Sequence, residues 1–407
     1  MGFCVFFMKT NIDKIRQLIS TQNEANLALA LQLAKGLGFP EELRDEFIPK
    51  YLWQCLEVEA TPWLQTLKKL SFAQQKRLKT LPETVGALEQ LEALDLERTG
   101  IEVLPAALGN LKHLKILNLK WTKISHLPPE IGQLKNLREL YLVNTPLEAI
   151  PKEIGALQHL QKLVIKAYKM FLQITTLPRE VGRLRALEEL DLSGTLLTNI
   201  PPEIGQLHQL KELNLGRTKI KSLPPEIGQL VSLEKLLLGG SDLEELPATI
   251  GQLSCLREIY LNFTQIKALP QQIGQLFHLE YLSLYNTNIH TLVPQIGQLA
   301  QLKSLYLLNS PLRALPPEIG QLSQLERLNV AGTHLKSLPV EINQLKKLES
   351  LSLKNTAITT IPPVITQLIQ LKELDLSNTA IEQLPKRIGH LVQLEDLGVY
   401  KRESDES

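Results

Sequence analysis

The chain has 407 residues, and its 44 basic and 43 acidic side chains leave a formal net charge of only +1. This balance gives no general attraction to nucleic acid or to an anionic membrane surface, and we expect neither as a partner. No apolar run approaches the roughly 20 residues that a membrane-spanning helix needs.

The cysteines and the first residues bear on cellular location. Cys4, Cys55 and Cys255 are far apart and show no paired spacing, which is typical of free thiols in a reducing compartment. Residues 1–8 are apolar but too short for a signal peptide, and they lack a basic start. Met8 is an alternative first residue. These features predict a cytoplasmic protein.

Residues 1–80 do not follow the 23-residue repeat that occupies most of the later chain. The first predicted helix carries four apolar residues on one face: Ile12, Ile15, Leu18 and Ile19. A second helix is predicted from near Asn23 to Gly36, and a third after Pro40. Residues 67–72 resemble a degenerate first repeat. We predict that this region is a helical cap over the first coil; a separate signalling module is the alternative.

A period of 23 residues extends over residues 81–400, marked in each unit by Leu-Pro or Ile-Pro. The period defines fourteen repeats, one of which has its proline one place later, at Pro294. One step is longer than the others, which places a four-residue insertion within residues 166–176. Residues 401–407 form a polar tail.

Each repeat predicts one coil of a solenoid. In the unit at residues 223–238, the Leu-x-x-Leu-x-Leu pattern places a short strand whose leucines point inward. Strands of successive coils are expected to form a parallel sheet on a concave face. The stretch from proline to Gln-Leu is expected to form the convex side, as a short helix or 3₁₀ turn with proline in its first turn. The glycine within that stretch is expected to allow a tight turn.

A threonine or serine follows nearly every strand. Because a hydroxyl can both donate and accept a hydrogen bond, we interpret these residues as a stacked, buried polar ladder that bonds the turning backbone. The positions are Thr99, Thr122, Thr145, Thr195, Thr218, Ser241, Thr264, Thr287, Ser310, Thr333, Thr356 and Thr379.

Two segments depart from the regular coil. The insertion puts Tyr168 at the hydroxyl position and adds three apolar residues: Met170, Phe171 and Leu172. It is either a contact site or the remnant of an error in repeat duplication that the fold has accommodated. After the last strand, at residues 394–399, only a short tail follows, so the tail, a partner or a second copy is expected to pair with the coil edge.

No motif for catalysis, metal binding or cofactor binding is present. The eight histidines do not converge, and no Cys/His metal spacing, glycine-rich phosphate loop or Gly-x-Ser-x-Gly nucleophile motif occurs. We therefore predict a binding protein with no catalytic residues, no metal and no cofactor.

The tyrosines point to where a partner binds. Counted from the first leucine of each strand, positions 3, 5 and 7 project into the concavity, and six of the eight tyrosines occupy them. Tyrosine favours strands in general, but that preference does not explain why four of the six fall in three consecutive coils. Clustered aromatic residues are favoured binding hot spots. The predicted partner-binding residues are Tyr260, Phe263, Tyr281, Tyr285, Tyr306, Leu237, Leu308, Tyr141 and Trp121.

Acidic residues of the concave face lie on both sides of the aromatic stretch, and they suit a protein partner with some basic character. They are Asp95, Glu97, Glu189, Asp191, Glu212, Glu373, Asp375 and Asp396.

The repeat Leu-Pro-x-Glu-Ile-Gly-x-Leu-x-x-Leu closely resembles intracellular leucine-rich repeats of the Ras-suppressor, Scribble and plant Ras-group type, over about four-fifths of the chain. Threonine in place of the usual asparagine is a departure that looks like bacterial variants. The resemblance implies a leucine-rich-repeat horseshoe of the α/β class. It also implies a protein–protein interaction scaffold in intracellular signalling. Regulation of a small GTPase and a role as a secreted adhesin or host-directed effector are the alternatives.

Overall fold

The computed structural model describes residues 2–21, 23–37, 66–168 and 173–400. It consists of two compact units, Met1–Gln161 and Lys162–Ser407, and each is described by itself. The domain limits expected from the sequence, at residues 80 and 400, remain predictions.

Two helices lie at the start of the first unit: α1 (Gly2–Ser20) and α2 (Glu24–Gly36). They pack against each other, and Ile15 of α1 and Ala34 of α2 are fully buried. The side chain of Asn23 accepts a hydrogen bond from the Ala25 N–H at 2.9 Å and so caps α2 at the predicted residue. The third predicted helix lies outside the described residues.

Short strands with 23-residue spacing make up the sheets. The first unit contains β1 (Lys69–Ser71), β2 (Ala93–Asp95), β3 (Ile116–Asn118) and β4 (Glu139–Tyr141). The second contains β5 (Lys162–Val164), β6 (Glu189–Asp191), β7 (Glu212–Asn214), β8 (Lys235–Leu237), β9 (Glu258–Tyr260), β10 (Tyr281–Ser283), β11 (Ser304–Tyr306), β12 (Arg327–Asn329), β13 (Ser350–Ser352), β14 (Glu373–Asp375) and β15 (Asp396–Gly398). Within each unit, consecutive strands pair in parallel, as predicted. The pairing register sets leucine beside leucine, as for Leu213 and Leu236, which are both fully buried.

The opposite side of each coil is a 3₁₀ turn. In the first unit the turns are Glu83–Ala87, Ala106–Asn110, Pro129–Gln133 and Lys152–Ala156. In the second they are Arg179–Arg183, Pro202–Gln206, Pro225–Gln229, Ala248–Gln252, Gln271–Gln275, Pro294–Gln298, Pro317–Gln321, Val340–Gln344, Pro363–Gln367 and Ile388–His390. This arrangement confirms the parallel sheets, the short 3₁₀ turns and the N-terminal helices expected from the sequence.

The marker proline sits one place earlier than we expected, because it precedes the turn instead of starting it. Pro224 caps the turn at φ −66°, and Pro225 is its first residue. The same register holds around Pro294, where Val293 is the cap and Pro294 the first residue of the turn. The proline there has therefore not shifted; the cap proline is missing and the second proline is retained.

The glycine within the 3₁₀ turn serves close packing between coils, which corrects our interpretation of it as a turn residue. Gly228 does not have a positive φ. A Cβ atom there would lie 2.5 Å from the carbonyl oxygen of Thr249 in the next coil. Since real Cβ atoms do not approach that closely, a side chain at this position would push the two turns apart.

The predicted polar ladder is present in twelve coils, each with the same specific hydrogen bond. Each of the twelve hydroxyls donates to the carbonyl oxygen three residues earlier, as Thr333 does to Val330 at 2.7 Å. The equivalent bonds range from 2.6 to 3.1 Å. The hydroxyls therefore bond within their own coil, where they satisfy a carbonyl group at the point where the strand ends.

The residue just before each ladder hydroxyl has a left-handed backbone conformation. Asn286, for example, has φ +53°. Asparagine and glycine tolerate this conformation, whereas other side chains pay roughly 1–2 kcal/mol for it. Within the described repeats, this position is occupied by Arg98, Trp121, Asn144, Gly194, Arg217, Gly240, Phe263, Asn286, Asn309, Gly332, Asn355 and Asn378.

The insertion interrupts the ladder. Tyr168 stands at the hydroxyl position but is 57% exposed, whereas Thr195 in the next coil is buried. The backbone N–H of Ala167 still bonds the Ser193 carbonyl oxygen at 2.9 Å, so coil pairing continues up to the insertion. Met170, Phe171 and Leu172 lie outside the described residues.

Replacing Thr333 by valine tests the ladder. Valine has nearly the same shape but leaves the Val330 carbonyl oxygen without its hydrogen bond, so we expect a loss of about 1–3 kcal/mol in the free energy of unfolding. Urea denaturation followed by circular dichroism would measure it. Thr333→Ser keeps the hydroxyl and should retain most of the stability; equal losses in both variants would contradict a role for the hydrogen bond.

Candidate protein-binding site

Five aromatic side chains of the second unit form what we call the aromatic patch: Tyr260, Phe263, Tyr281, Tyr285 and Tyr306. They come from β9, β10, β11 and the turns that follow β9 and β10. Because alternate strand residues face opposite sides, the leucines between them enter the core and the rings face outward. The four tyrosines are half-buried, and Phe263 is 53% exposed.

The rings contact each other in two rows. Tyr281 lies between Tyr260 and Tyr306, with ring centroids 4.7 Å and 5.4 Å away. In the second row, Phe263 meets Tyr285 edge to face at 4.5 Å. Such contacts contribute about 0.5–1.5 kcal/mol each beyond the burial of area, and they hold the rings in fixed orientations. The structure thus brings the predicted tyrosines together, in two rows of rings.

Tyr260 is also held by polar contacts. Its hydroxyl donates to Glu258 at 2.9 Å, and the ammonium group of Lys235 lies 5.6 Å from its ring centroid. Lys235 also forms an ion pair with Glu258 at 3.5 Å. Burial, with the neighbouring Glu258 carboxylate adding to it, raises the pKa of Tyr260 well above its usual range. The phenol, which is neutral at physiological pH in any case, therefore stays protonated to a higher pH than an ordinary tyrosine.

Phe263 occupies the left-handed position that precedes the ladder hydroxyl, with φ +57°. Asparagine or glycine fills this place in most coils, and either would avoid the strain. The edge-to-face contact with Tyr285 is what this strained, half-exposed ring gains in return, and backbone outliers of this kind often occur at functional sites. Sequence reasoning noted the ring but not the strain.

Leu237 and Leu308 flank the patch and are half-buried. Leu237 pairs in register with Tyr260 on the next strand. The two leucines extend the apolar surface to the neighbouring coils, as expected from the sequence.

Trp121 and Tyr141 belong to the first unit and have their own neighbours. Trp121 is 43% exposed and also has the left-handed conformation, with φ +58°; the Arg98 guanidinium lies 5.8 Å from its ring. Tyr141 donates to Glu139 at 2.7 Å, and the Lys120 ammonium group lies 4.2 Å from its ring. Both side chains are placed by contacts with charged residues of that unit.

Charged residues border the patch in ordered pairs. At the start of the strands, Glu280 accepts from Arg257 at 2.6 Å and from Lys303 at 2.7 Å. These two cations lower the pKa of Glu280. On β7, burial raises the pKa of Glu212, and the neighbouring carboxylates Glu189 and Asp191 add to that effect. Between these two groups lies the ion pair of Lys235 and Glu258 beside Tyr260.

A groove that sequence reasoning missed lies beside the patch. It has a volume of about 350 Å³ and shares Leu237 and Tyr260 with the patch and its border. Its other walls include Tyr168, Ser193 and Arg217. The sequence signal that could have revealed the groove is a glycine shortly after each of two neighbouring strands: Gly216 after β7 and Gly239 after β8.

Among the described residues, no group of three or more His, Cys, Asp or Glu side chains could hold a metal ion. Within the same ranges, no helix combines the length and apolar character needed to cross a membrane. Cys255 is exposed and not in a disulfide.

The comparisons with known proteins agree with this geometry. The family model for a leucine-rich repeat region matches residues 106–171, 202–274, 267–333 and 327–407, and a second leucine-rich-repeat model matches residues 186–207. The chain belongs to the leucine-rich-repeat family. The members of this family are typically protein-interaction scaffolds and are generally not enzymes.

Solved leucine-rich-repeat structures are similar over most of the chain. A leucine-rich-repeat protein of Leptospira interrogans is 39% identical, with a TM-score of 0.75 over 85% of this chain and 86% of that one. An internalin of Listeria monocytogenes is 18% identical, with a TM-score of 0.63 over 84% and 88% of the two chains, and shares the fold. The Drosophila Toll–Spätzle complex contains a chain that is 19% identical, with a TM-score of 0.70 over 82% of this chain and 47% of that one. No curated protein sequence matches the chain.

Two substitutions at Phe263 test the strain. In Phe263→Asn, relief of roughly 1 kcal/mol of left-handed strain offsets the lost contact with Tyr285, so we expect the free energy of unfolding to change by less than about 1 kcal/mol. Phe263→Val keeps an apolar but β-branched residue in the left-handed conformation and should lose more than about 1 kcal/mol. Chemical denaturation measures both. A valine variant more stable than the asparagine variant would show that Phe263 is not strained.

Proposed function

We propose that this leucine-rich-repeat protein binds a protein partner through the aromatic patch, on the sheet surface that we predicted to be concave. The observation that carries the proposal is Phe263, a half-exposed ring on a strained backbone beside an ordered row of tyrosines. Large, rigid aromatic side chains bury much area on binding and lose little conformational entropy. The aromatic rings give affinity, and the charged residues around them orient the partner.

We propose that the protein is a cytoplasmic scaffold in intracellular signalling and that it acts by binding. The acidic residues Glu189, Asp191 and Glu212 beside the patch favour a partner surface with basic character. The phenol oxygen of Tyr260, whose proton is donated to Glu258, can still accept a hydrogen bond from the partner. Leu237 and Leu308 extend the contact to adjacent coils.

Cross-linking and pull-down from the native cell tests the proposal. The double variant Phe263→Asn with Tyr285→Ala removes one row of rings, and we expect it to reduce capture of the partner more than about tenfold, as loss of a binding hot spot does. Phe277→Asn is the matched control, because Phe277 is 58% exposed but follows a 3₁₀ turn on the other side of its coil. Equal capture by both variants would refute the proposal.

The pull-down, repeated with different bound nucleotides, and cell fractionation together decide between the alternative roles. Capture that depends on the nucleotide bound to the partner would identify a small GTPase. Recovery of the chain outside the cell by fractionation would support an adhesin or effector. Capture of a cytoplasmic protein regardless of nucleotide supports the scaffold.

A second contact is proposed at the C-terminal coil, through which two copies would pair. Among the described strands, β15 pairs on one side only, with β14. Leu394 and Leu397 are half-buried, whereas their equivalents Leu371 and Leu374 in the preceding coil are buried. Val399 is 52% exposed. An open strand edge with exposed apolar residues is suited to pairing with a second edge.

Light scattering after size-exclusion chromatography tests this pairing. The wild type should show a concentration-dependent dimer, and Val399→Lys should be monomeric, because a charge on the edge opposes strand pairing. Val392→Lys is the matched control, since Val392 is 81% exposed but follows the last 3₁₀ turn. A monomeric wild type at all concentrations would contradict the dimer.

A further inference from the structure

We infer that the groove beside the aromatic patch binds one acidic side chain of the protein partner, within a contact surface that is otherwise basic in character. The inference rests on the proposed function for the nature of the ligand. Its physical basis does not use the Phe263–Tyr285 row of the patch. Within the described residues it consists of a buried hydroxyl with no hydrogen-bond partner, a strained arginine with no ion pair and a floor without side chains.

The floor of the groove is formed where side chains are missing. Gly216 and Gly239 take the places at which Tyr285 and Leu308 stand in later coils. Neither glycine has a positive φ, so the backbone does not require glycine at either position. The consequence of these two glycines is open space of about 350 Å³ above two adjacent coils, within the usual range for ligand sites.

The groove contains a buried hydroxyl without a partner. Ser193 is only 7% exposed, and among the described residues its Oγ atom has no hydrogen-bond partner. An unsatisfied buried hydroxyl costs about 1–3 kcal/mol. Its neighbour Asp191 is already engaged, since it accepts from the Ser193 N–H at 2.9 Å and pairs with Lys166 at 3.7 Å. Ser193 lines the groove, so a ligand that reaches its hydroxyl would satisfy it.

Arg217 supplies the charge. It occupies the left-handed position with φ +56°, where asparagine and glycine are favoured, and its side chain is exposed. Within the described part of the chain, its guanidinium group has no ion pair. Gly240 in the next coil leaves room for the side chain, because a Cβ there would lie 3.1 Å from Cγ of Arg217. As at Phe263, a strained residue is kept where an unstrained one would serve the fold.

These features together select a carboxylate. The guanidinium fork of Arg217 matches the two oxygens of a carboxylate, and the Ser193 hydroxyl can donate a further bond. The walls formed by Leu237 and Tyr260 suit the methylene carbons of a glutamate or aspartate side chain. Since Lys166 is paired with Asp191, Arg217 is the cation that a ligand can neutralise. Leu237 and Tyr260 also lead from the groove to the patch, so one partner segment can occupy both.

A peptide titration tests the groove without knowledge of the partner. The probes are acetyl-Gly-Glu-Gly-amide and its Gln counterpart, followed by ligand-observed nuclear magnetic resonance. The wild type should bind the Glu peptide at least about tenfold more tightly than the Gln peptide, because only the former pairs with the guanidinium. Equal binding of the two peptides by the wild type, or binding of neither, would overturn the inference.

Arg217→Asn should lose the preference for the Glu peptide while its denaturation midpoint stays the same or rises. Arg98→Asn is the matched control, because Arg98 has the same left-handed conformation with φ +56° but belongs to the first unit; it should retain the preference. Retention of the preference by Arg217→Asn would refute the role of Arg217.

Ser193→Ala should weaken binding of the Glu peptide about three- to tenfold and raise the denaturation midpoint, because it removes an unsatisfied buried hydroxyl. A lower midpoint would show that the hydroxyl serves the fold and would overturn its assignment to the groove.

The patch variant Phe263→Asn with Tyr285→Ala separates the two proposals. It should bind the Glu peptide as the wild type does, even though it fails to capture the partner. Loss of peptide binding in this variant would contradict an independent groove. Normal partner capture together with intact peptide selectivity would refute the patch and leave the groove standing.

Discussion

The structure depends on one repeated turn, in which a residue with left-handed backbone conformation precedes a buried hydroxyl that bonds the carbonyl oxygen at the end of the strand. This turn sends the chain away from the sheet after each three-residue strand, and so allows the next strand to pair in register. Asn286 and Thr287 show its unstrained form, with φ +53° and a bond of 2.7 Å. Twelve of the described coils make this turn, and asparagine or glycine stands at its left-handed position in eight of them; a side chain that tolerates the conformation less well is therefore not required by the fold.

That constraint connects the fold to the proposed binding surface. Four exposed residues have the left-handed conformation without a side chain that tolerates it well: Arg98, Trp121, Arg217 and Phe263. Phe263 contributes to the aromatic patch and Arg217 to the groove. The strain of roughly 1–2 kcal/mol per residue is confined to single coils. A repeat protein can bear it locally, because each coil contacts only its neighbours.

Much of the architecture could be predicted from the period, because leucine spacing and strand alternation are local rules. The parallel strands, the 3₁₀ turns and the hydroxyl ladder follow from it. The purpose of Gly228 could not be read locally, because it depends on the distance to Thr249 in the next coil. Pro294 was misjudged because two prolines share the marker, and only the backbone shows which one caps the turn.

The candidate site was predictable in part. Tyr260, Tyr281 and Tyr306 could be placed together because a fixed register converts coil position into spatial proximity. The groove could not be inferred in this way, since it is defined by what Gly216 and Gly239 lack and by the unpaired hydroxyl of Ser193. A missing side chain and a missing hydrogen bond both require coordinates. An alignment of the repeats nevertheless shows glycine at the same position of two consecutive repeats, and that signal could have directed attention to the groove.

The insertion after β5 has a consequence for the entropy of chain closure. Paired residues such as Glu212 and Lys235 are 23 positions apart, whereas Lys162 and its partner Glu189 are 27 apart. Lengthening a flexible loop from 23 to 27 residues adds only about 0.1 kcal/mol to the cost of bringing its ends together. All contacts between coils remain short in sequence, so the chain can close one coil after another as it emerges during synthesis. The fold thus admits extra residues between coils almost without thermodynamic penalty, and new loops can be tried there while the stack stays intact.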